Sequence, residues 1–111
     1  RYCNAISSNG ILVTQTGAVC AYNTAGAALT HSTLRRVFGA RNVQTYIVCL
    51  PSYQNQTALH IAYKDERDMI GAETVDQRLT DRLTSAARNS LRFYDAETHR
   101  NMFALTKQIR E

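Results

Sequence analysis

Histidine and cysteine are the side chains in this sequence best suited to chemistry at neutral pH, as bases, nucleophiles or metal ligands. The three histidines, His31, His60 and His99, lack the partner four residues away that a helical metal pair requires. The three cysteines lack the C-x-x-C spacing typical of zinc and redox sites. The sequence therefore predicts no metal site, and it predicts free thiols in a reducing cytoplasm.

Several of these side chains have a structural explanation. Cys49 falls in an apolar run, where we expect a small core residue. His60 falls in a second apolar run, where we expect a hydrogen-bonded core or edge histidine. Asp95 and Glu97 lie close to His99, which invites an acid–base interpretation. The cap and first-turn charge of a helix explain both carboxylates without catalysis.

Gln15 and Tyr53 are the positions whose role is hardest to explain by packing. Each follows an apolar run that predicts a strand, and both side chains would emerge at one sheet edge if those strands run parallel. They would then line one wall of a cleft. The alternative is that Gln15 binds a neighbouring loop backbone and Tyr53 fills a hairpin.

Length and composition limit the classes of protein to consider. The chain has 111 residues, of which 44% are hydrophobic and 20% charged, as is ordinary for one soluble globular domain. No segment predicts a membrane span or a signal peptide. The net charge of +4 comes from scattered Lys and Arg without interleaved aromatic residues, which disfavours a nucleic-acid partner. Because the sequence begins Arg1-Tyr2 without Met, we expect a fragment or a processed chain.

Two apolar runs are the strongest strand signals. Residues 43–50 place apolar side chains on both faces, which predicts an interior strand. Residues 57–63 predict a second, slightly more polar strand. Pro51 opens a connection that is too long for a two-residue turn, so we expect a wide antiparallel hairpin.

Further elements flank this hairpin. Residues 11–13 predict a strand that ends where polar residues begin, and residues 25–38 predict a helix that ends at Gly39 with His31 pointing outward. Thr74 and Asp95 are candidate caps for two later helices. The first of these has a buried stripe at Val75, Leu79, Leu83 and Ala86. This order predicts an α/β fold, a parallel sheet closed by an antiparallel hairpin at its edge.

Four segments together resemble a known family. They are NAISSNGILVTQTG, LRRVFGARNVQTYIVCLPSY, ALHIAYKD and LRFYDAETHRNMFAL. Their order and spacing resemble the carboxyl-terminal half of the polyamine aminopropyltransferases, the spermidine, spermine and thermospermine synthases. The last segment is the most specific, since FYDAETH followed by FAL matches the closing pattern of the family nearly position by position.

The resemblance implies a fold and an activity. It implies that residues 1–111 form the carboxyl-terminal part of a Rossmann-like methyltransferase sheet, in a homo-oligomeric enzyme of the cytoplasm. The implied reaction transfers an aminopropyl group from decarboxylated S-adenosylmethionine, a co-substrate, to putrescine or a longer polyamine. Gln15 and Tyr53 match the residues that line the amine pocket. The cofactor loop and the catalytic Asp pair of the family are expected upstream of this chain, so the chain alone is expected to be inactive.

Departures from the family pattern leave alternatives open. An acidic residue common two places after the Gln is Gly17 here, Gln54-Asn55-Gln56 replaces Pro-Ser-Gly, and Thr106 replaces a Pro. One alternative is a non-catalytic α/β interaction module derived from the family. Another is a small-molecule methyltransferase with S-adenosylmethionine itself as donor.

Overall fold

A computed structural model describes residues 2–69 and 71–110. The chain divides into two compact units, one formed by the residues up to Met69 together with those from Leu105 onward, the other by the segment between them. Neither unit has, among the described residues, a helix with the length and apolar character needed to cross a membrane.

The first unit is built on a three-stranded antiparallel sheet. Its strands are β1 (Ile11–Ala18), β2 (Val43–Leu50) and β3 (Asn55–Tyr63), in the order β1-β3-β2. Because β3 is antiparallel to both neighbours, β1 and β2 run in the same direction. The predictions of an α/β fold and of an antiparallel hairpin are confirmed. The predicted parallel sheet is not found among the described strands, because β3 lies between β1 and β2 and pairs antiparallel with both.

Two details of the predicted sheet are wrong. The run at β2, predicted to be interior, is an edge strand of the described sheet, and β3 is the central strand. β3 is central because it pairs on both sides, and Thr57, Ala58, His60, Ala62 and Tyr63 of this strand are buried. The second correction concerns β1, which continues through the polar residues to Ala18 because β3 pairs with them. Polarity alone does not end a strand that has a partner.

The connection between β2 and β3 is the wide hairpin that Pro51 predicts. Pro51–Tyr53 form one 3₁₀ turn, and Gln54 then takes a left-handed conformation with φ of 52°. The Gln54 N–H donates to the Pro51 carbonyl at 3.3 Å. The turn reverses the chain so that Leu50 pairs with Asn55 at the start of β3.

Helix α2 (Ala25–Phe38) covers one face of the sheet and has the predicted bounds. Its buried side chains recur every three or four residues, which forms one helical stripe; they are Ala27, His31, Leu34 and Phe38. They face the alternate residues Ala58, His60 and Ala62 of β3. The short helix α6 (Lys107–Arg110) adds buried Ile109 to the same core, and α1 (Tyr2–Ala5) precedes β1.

The second unit contains three short helices, α3 (Val75–Arg82), α4 (Ser85–Ser90) and α5 (Ala96–Met102). The single predicted helix with a stripe from Val75 to Ala86 is wrong, because the chain leaves the helix at Leu83 and begins a new one. The Thr84 hydroxyl caps α4 by accepting the Ala87 N–H at 3.2 Å. A capping hydroxyl competes with helix continuation, so the stripe ends there.

The other predicted caps had different outcomes. The carboxylate of Asp95 accepts the Thr98 N–H at 2.7 Å, so the predicted cap of α5 is confirmed. Thr74 occupies the position before α3, but its hydroxyl donates to the Gly71 carbonyl at 3.0 Å and makes no cap bond.

Candidate functional site

Gln15 lies within β1, not after it. It pairs in register with Leu59 of β3, and Leu59 pairs in turn with Tyr46 of β2. The Gln15 side chain is exposed and shares the sheet face opposite α2 with Ile11 and Val13. The amide of Gln15 is therefore accessible to a ligand on that face.

A bulge follows Gln15 immediately. The β1–β3 register shifts between Gln15 and Ala18, and Gly17 has a φ of 72°. A positive φ is a conformation that Gly adopts at little cost, and bulges redirect the side chains beside them. The bulge thus places Gln15 at the point where the regular pairing of β1 ends.

Tyr53 lies in the 3₁₀ turn that follows β2, and its side chain is outside the described residues. Since β1 and β2 run in the same direction, Gln15 and the turn of Tyr53 lie toward the same end of the sheet. In register, however, Gln15 is level with Tyr46. A common wall formed by Gln15 and Tyr53 stays a prediction.

The three cysteines form no disulfide and no metal site among the described residues. The thiols of Cys3, Cys20 and Cys49 are free, as predicted. Cys49 is exposed, so its prediction as a core residue is wrong: it lies near the end of an edge strand opposite Gln56, which is also exposed. Within residues 2–69 and 71–110, no group of His, Cys, Asp and Glu side chains could hold a metal ion.

A buried network of hydrogen-bonded side chains lies under α2 in the first unit. The Thr45 hydroxyl lies 2.8 Å from His31 Nδ1 and 2.7 Å from His60 Nδ1. The Thr16 hydroxyl extends the network, at 2.9 Å from His60 Nε2. His60 is fully buried, and His31 is 8% exposed. The expected core role of His60 is confirmed, and the outward orientation predicted for His31 is wrong.

Burial keeps both rings of this network neutral. Desolvation and then the nearby His31 lower the pKa of His60 to about 4. Desolvation and then the guanidinium of Arg35 lower the pKa of His31. The Thr45 hydroxyl has a single hydrogen, so it donates to one ring and accepts an N–H from the other. The directions of the hydrogen bonds that Thr45 makes to the two rings are therefore coupled.

The sequence contained a signal for this network. His31 lies in the stripe of Ala27, Leu34 and Phe38, and Thr45 alternates with the buried Val43. Both polar residues therefore occupy core positions of their elements, and polar groups in such positions need partners. The identity of the partners depends on the register of β2 and β3.

A second pair of chemically active groups lies in the second unit. The Tyr94 hydroxyl is 2.6 Å from His99 Nδ1, and the ring of Phe103 stacks at 4.8 Å from the ring of His99. Burial raises the pKa of Tyr94, while burial and then Arg100 lower the pKa of His99, so both are neutral at pH 7. Sequence reasoning missed this pair, although Tyr94 and His99 belong to the segment that carries the resemblance.

Comparison with known proteins identifies a relative. No family model matches the chain. A polyamine aminopropyltransferase of Sulfolobus acidocaldarius is 34% identical over 107 residues, which is 96% of this chain. The same match covers 33% of the relative, so the chain spans about one third of the length of that protein. The resemblance predicted from the sequence is thereby confirmed: over nearly its whole length, the chain is similar to a polyamine aminopropyltransferase.

Proposed function

We propose that this chain is part of a transferase of polyamine biosynthesis, which moves an aminopropyl group from decarboxylated S-adenosylmethionine to putrescine or a longer polyamine. The observation that carries the proposal is the 34% identity to a polyamine aminopropyltransferase across 96% of the chain. Because that match spans 33% of the relative, the activity is assigned to a longer protein. We further propose that the chain is the carboxyl-terminal part of its Rossmann-like methyltransferase sheet.

The proposed role of Gln15 and Tyr53 is to bind the amine. A polyamine carries ammonium groups, which need oxygen acceptors, and methylene segments, which pack well beside an aromatic face. The exposed amide of Gln15 on β1 offers such an acceptor. Tyr53, in the turn after β2, is the proposed aromatic partner.

The proposed chemistry needs positioning more than acid–base groups from this chain. The attacking amine nitrogen forms a bond to the aminopropyl carbon, and the bond from that carbon to the sulfonium sulfur breaks. The thioether leaves as a neutral product, and the new ammonium releases one proton. Alignment of the reactants and an unprotonated nitrogen are the main requirements. We propose that the catalytic carboxylates for this proton lie in the rest of the longer protein.

A turnover assay tests the proposal. The longer protein is incubated with decarboxylated S-adenosylmethionine and either putrescine or spermidine, and the polyamine products are separated and quantified. We expect product from at least one amine, and none from this chain alone. Failure with both amines would contradict the proposal, and product with S-adenosylmethionine itself as donor would identify a methyltransferase.

Variants of the two proposed amine residues sharpen the test. Gln15→Ala and Tyr53→Ala should raise the Michaelis constant of the amine. Tyr53→Phe keeps the aromatic face and should cost no more than one hydrogen bond, about 0.5–1.5 kcal/mol of binding. A large loss of thermal stability with unchanged amine affinity would show that Tyr53 has a packing role.

A non-catalytic interaction module is the second candidate. It is favoured by Gly17, where the family commonly has an acidic residue, and by the left-handed Gln54 that follows Tyr53 in place of Pro. This candidate predicts no polyamine binding by the longer protein. Calorimetric detection of micromolar polyamine binding would exclude it.

The cellular setting is part of the same proposal. We propose a homo-oligomer in the cytoplasm, without a nucleic-acid partner, consistent with free thiols at Cys3, Cys20 and Cys49. Sedimentation of the longer protein would measure the oligomeric state.

A further inference from the structure

The second unit contains a cavity that the proposed function does not use. The cavity has a volume of about 280 Å³ and opens between α3 and the Tyr94–His99 pair. Its apolar walls are Val75, Leu79 and Leu83. A cavity of about 150 Å³ holds benzene, so this volume suits an apolar body of one ring or a short chain.

The polar rim of this cavity is cationic. Arg78 and Arg82 line it together with Val75 and Leu79, and these four residues recur along one face of α3. Among the residues that the structure describes, neither guanidinium has a hydrogen-bond or salt-bridge partner. Like charges four residues apart destabilise a helix, so two unpaired arginines on one face favour an anionic ligand.

The acidic residues of α3 are bound to other partners. The Asp76 carboxylate accepts from Arg100 at 2.9 Å, and the Asp81 carboxylate accepts from Gln77 at 2.8 Å. Neither side chain lines the cavity. The described residues therefore leave the charge at its rim uncompensated.

An adjoining cavity of about 150 Å³ has a different charge. It shares Leu79 and Tyr94 with the first cavity, and it is lined by Arg88 and by the carboxylates of Asp76 and Asp95. Arg88 Nε is buried and lacks an acceptor among the described residues, although Nη1 of the same side chain donates to Thr80 at 2.9 Å. Because two carboxylates line this second cavity, an anion is favoured only in the first.

The Tyr94–His99 pair adds a neutral polar group to the wall. When the Tyr94 hydroxyl donates to His99 Nδ1, the remaining N–H of the imidazole is at Nε2 and is free to donate. The His99 Nε2–H can therefore donate a hydrogen bond near an anionic head group, while Tyr94, whose single hydroxyl hydrogen is bound to Nδ1, orients the imidazole without adding negative charge.

We infer that this cavity binds a small amphipathic carboxylate, with its apolar body against Val75, Leu79 and Leu83 and its carboxylate on Arg78 and Arg82. The cationic polyamine of the proposed function is repelled by the same guanidinium groups. The inference therefore does not depend on the proposed function, and it assigns a site distinct from Gln15 and Tyr53.

Three probes with one apolar body and different head groups test the inference. Calorimetric titration of this chain with 3-phenylpropanoate, 3-phenylpropanol and 3-phenylpropylamine compares an anion, a neutral group and a cation. We expect saturable binding of the carboxylate, with a dissociation constant at or below about 1 mM. The amine should not bind, and the alcohol should bind at least about tenfold more weakly than the carboxylate, the loss of a charge-assisted hydrogen bond.

Variants locate the site. The double change Arg78→Gln and Arg82→Gln should weaken carboxylate binding at least about tenfold, and each single change should weaken it less. Arg36→Gln is the matched control, because Arg36 is also an exposed arginine in the last turn of a helix, and it should leave the affinity unchanged. The arginines are exposed, so we expect the folded circular dichroism spectrum in every variant.

Other outcomes overturn the inference. It fails if the carboxylate does not bind, if the three probes bind equally, or if the double variant keeps the affinity of the unmodified chain. A turnover assay of the longer protein fails or succeeds independently of these titrations, so the two proposals can be judged separately.

Discussion

Thr45 is the residue on which the polar core of the first unit depends. It is 2% exposed, and its hydroxyl bonds two histidine rings at 2.7 and 2.8 Å. Thr45→Val keeps the shape and removes both bonds, so we expect a loss of at least about 1–3 kcal/mol in the free energy of unfolding, the cost of an unsatisfied buried group. Chemical denaturation at pH 7.5 measures it.

Thr45→Ser is the matched control for this change. It keeps the hydroxyl and removes one methyl group, which costs about 1 kcal/mol. A valine variant at least as stable as the serine variant would show that the hydrogen bonds of Thr45 contribute nothing net to stability.

The two buried histidines also make stability depend on pH. The folded pKa of His60 is about 4, and that of His31 is also lowered, whereas an unfolded histidine has its ordinary pKa of 6.5. Below pH 6.5 the unfolded chain binds more protons than the folded chain, so the free energy of unfolding falls as pH falls toward 4. The slope is at most about 1.4 kcal/mol per pH unit for each histidine.

Urea denaturation at pH 7.5, 6, 5 and 4 measures this dependence. His99, whose pKa is also lowered, contributes in the same direction. His60→Asn should reduce the slope, because it removes the histidine with the largest shift. A stability that is constant between pH 7.5 and 5 would contradict the neutral, buried state of these rings.

Among the elements, the caps decide where the helices of the second unit begin. Thr84 accepts the Ala87 N–H and separates α4 from α3, whereas the Thr74 hydroxyl makes no cap bond. Thr84→Ala should therefore cost about 0.5–2 kcal/mol of unfolding free energy. Thr74→Ala should cost less, and Thr84→Asp should restore most of the loss.

Denaturation of these three variants under one condition gives the comparison. Equal losses for the two alanine variants would show that Thr84 does not act as a cap. A gain in helicity for Thr84→Ala would instead mean that Thr84 only interrupts a longer helix, as the predicted stripe from Val75 to Ala86 implies.

At the scale of the whole molecule, β1 presents an apolar edge. Within the sheet of residues 2–69, it pairs with β3 on one side and with no strand on the other, and Ile11 and Val13 are 50% and 55% exposed. Exposed apolar edge strands pair with other strands unless a charge blocks them. We therefore expect this chain to self-associate as its concentration rises, and Val13→Lys to reduce the association.

Analytical ultracentrifugation over a concentration series measures this effect. Val37→Lys is the matched control, because Val37 is 52% exposed but lies on α2, away from a strand edge. If both lysine variants reduce association equally, net charge and not the edge of β1 is responsible.

The sequence by itself determined most of the local elements and the family resemblance. The bounds of α2, the start and end of β2, the wide hairpin at Pro51 and the cap at Asp95 follow from periodicity, backbone restriction and capping chemistry, which act between near neighbours. The resemblance likewise rested on segments that can be read in order, and the comparison confirmed it. Gln15 and Tyr53 stay predictions from that resemblance.

Only the tertiary structure decided which residues meet. The central position of β3, the exposure of Cys49 and the burial of His31 depend on pairing between segments far apart in the chain, which no local pattern encodes. Thr45 contacts both His31 and His60 because α2 packs over the β2–β3 register. A polar side chain at a core position needs a hydrogen-bond partner, which the sequence can predict. The packing of helix on sheet determines which residue that partner is.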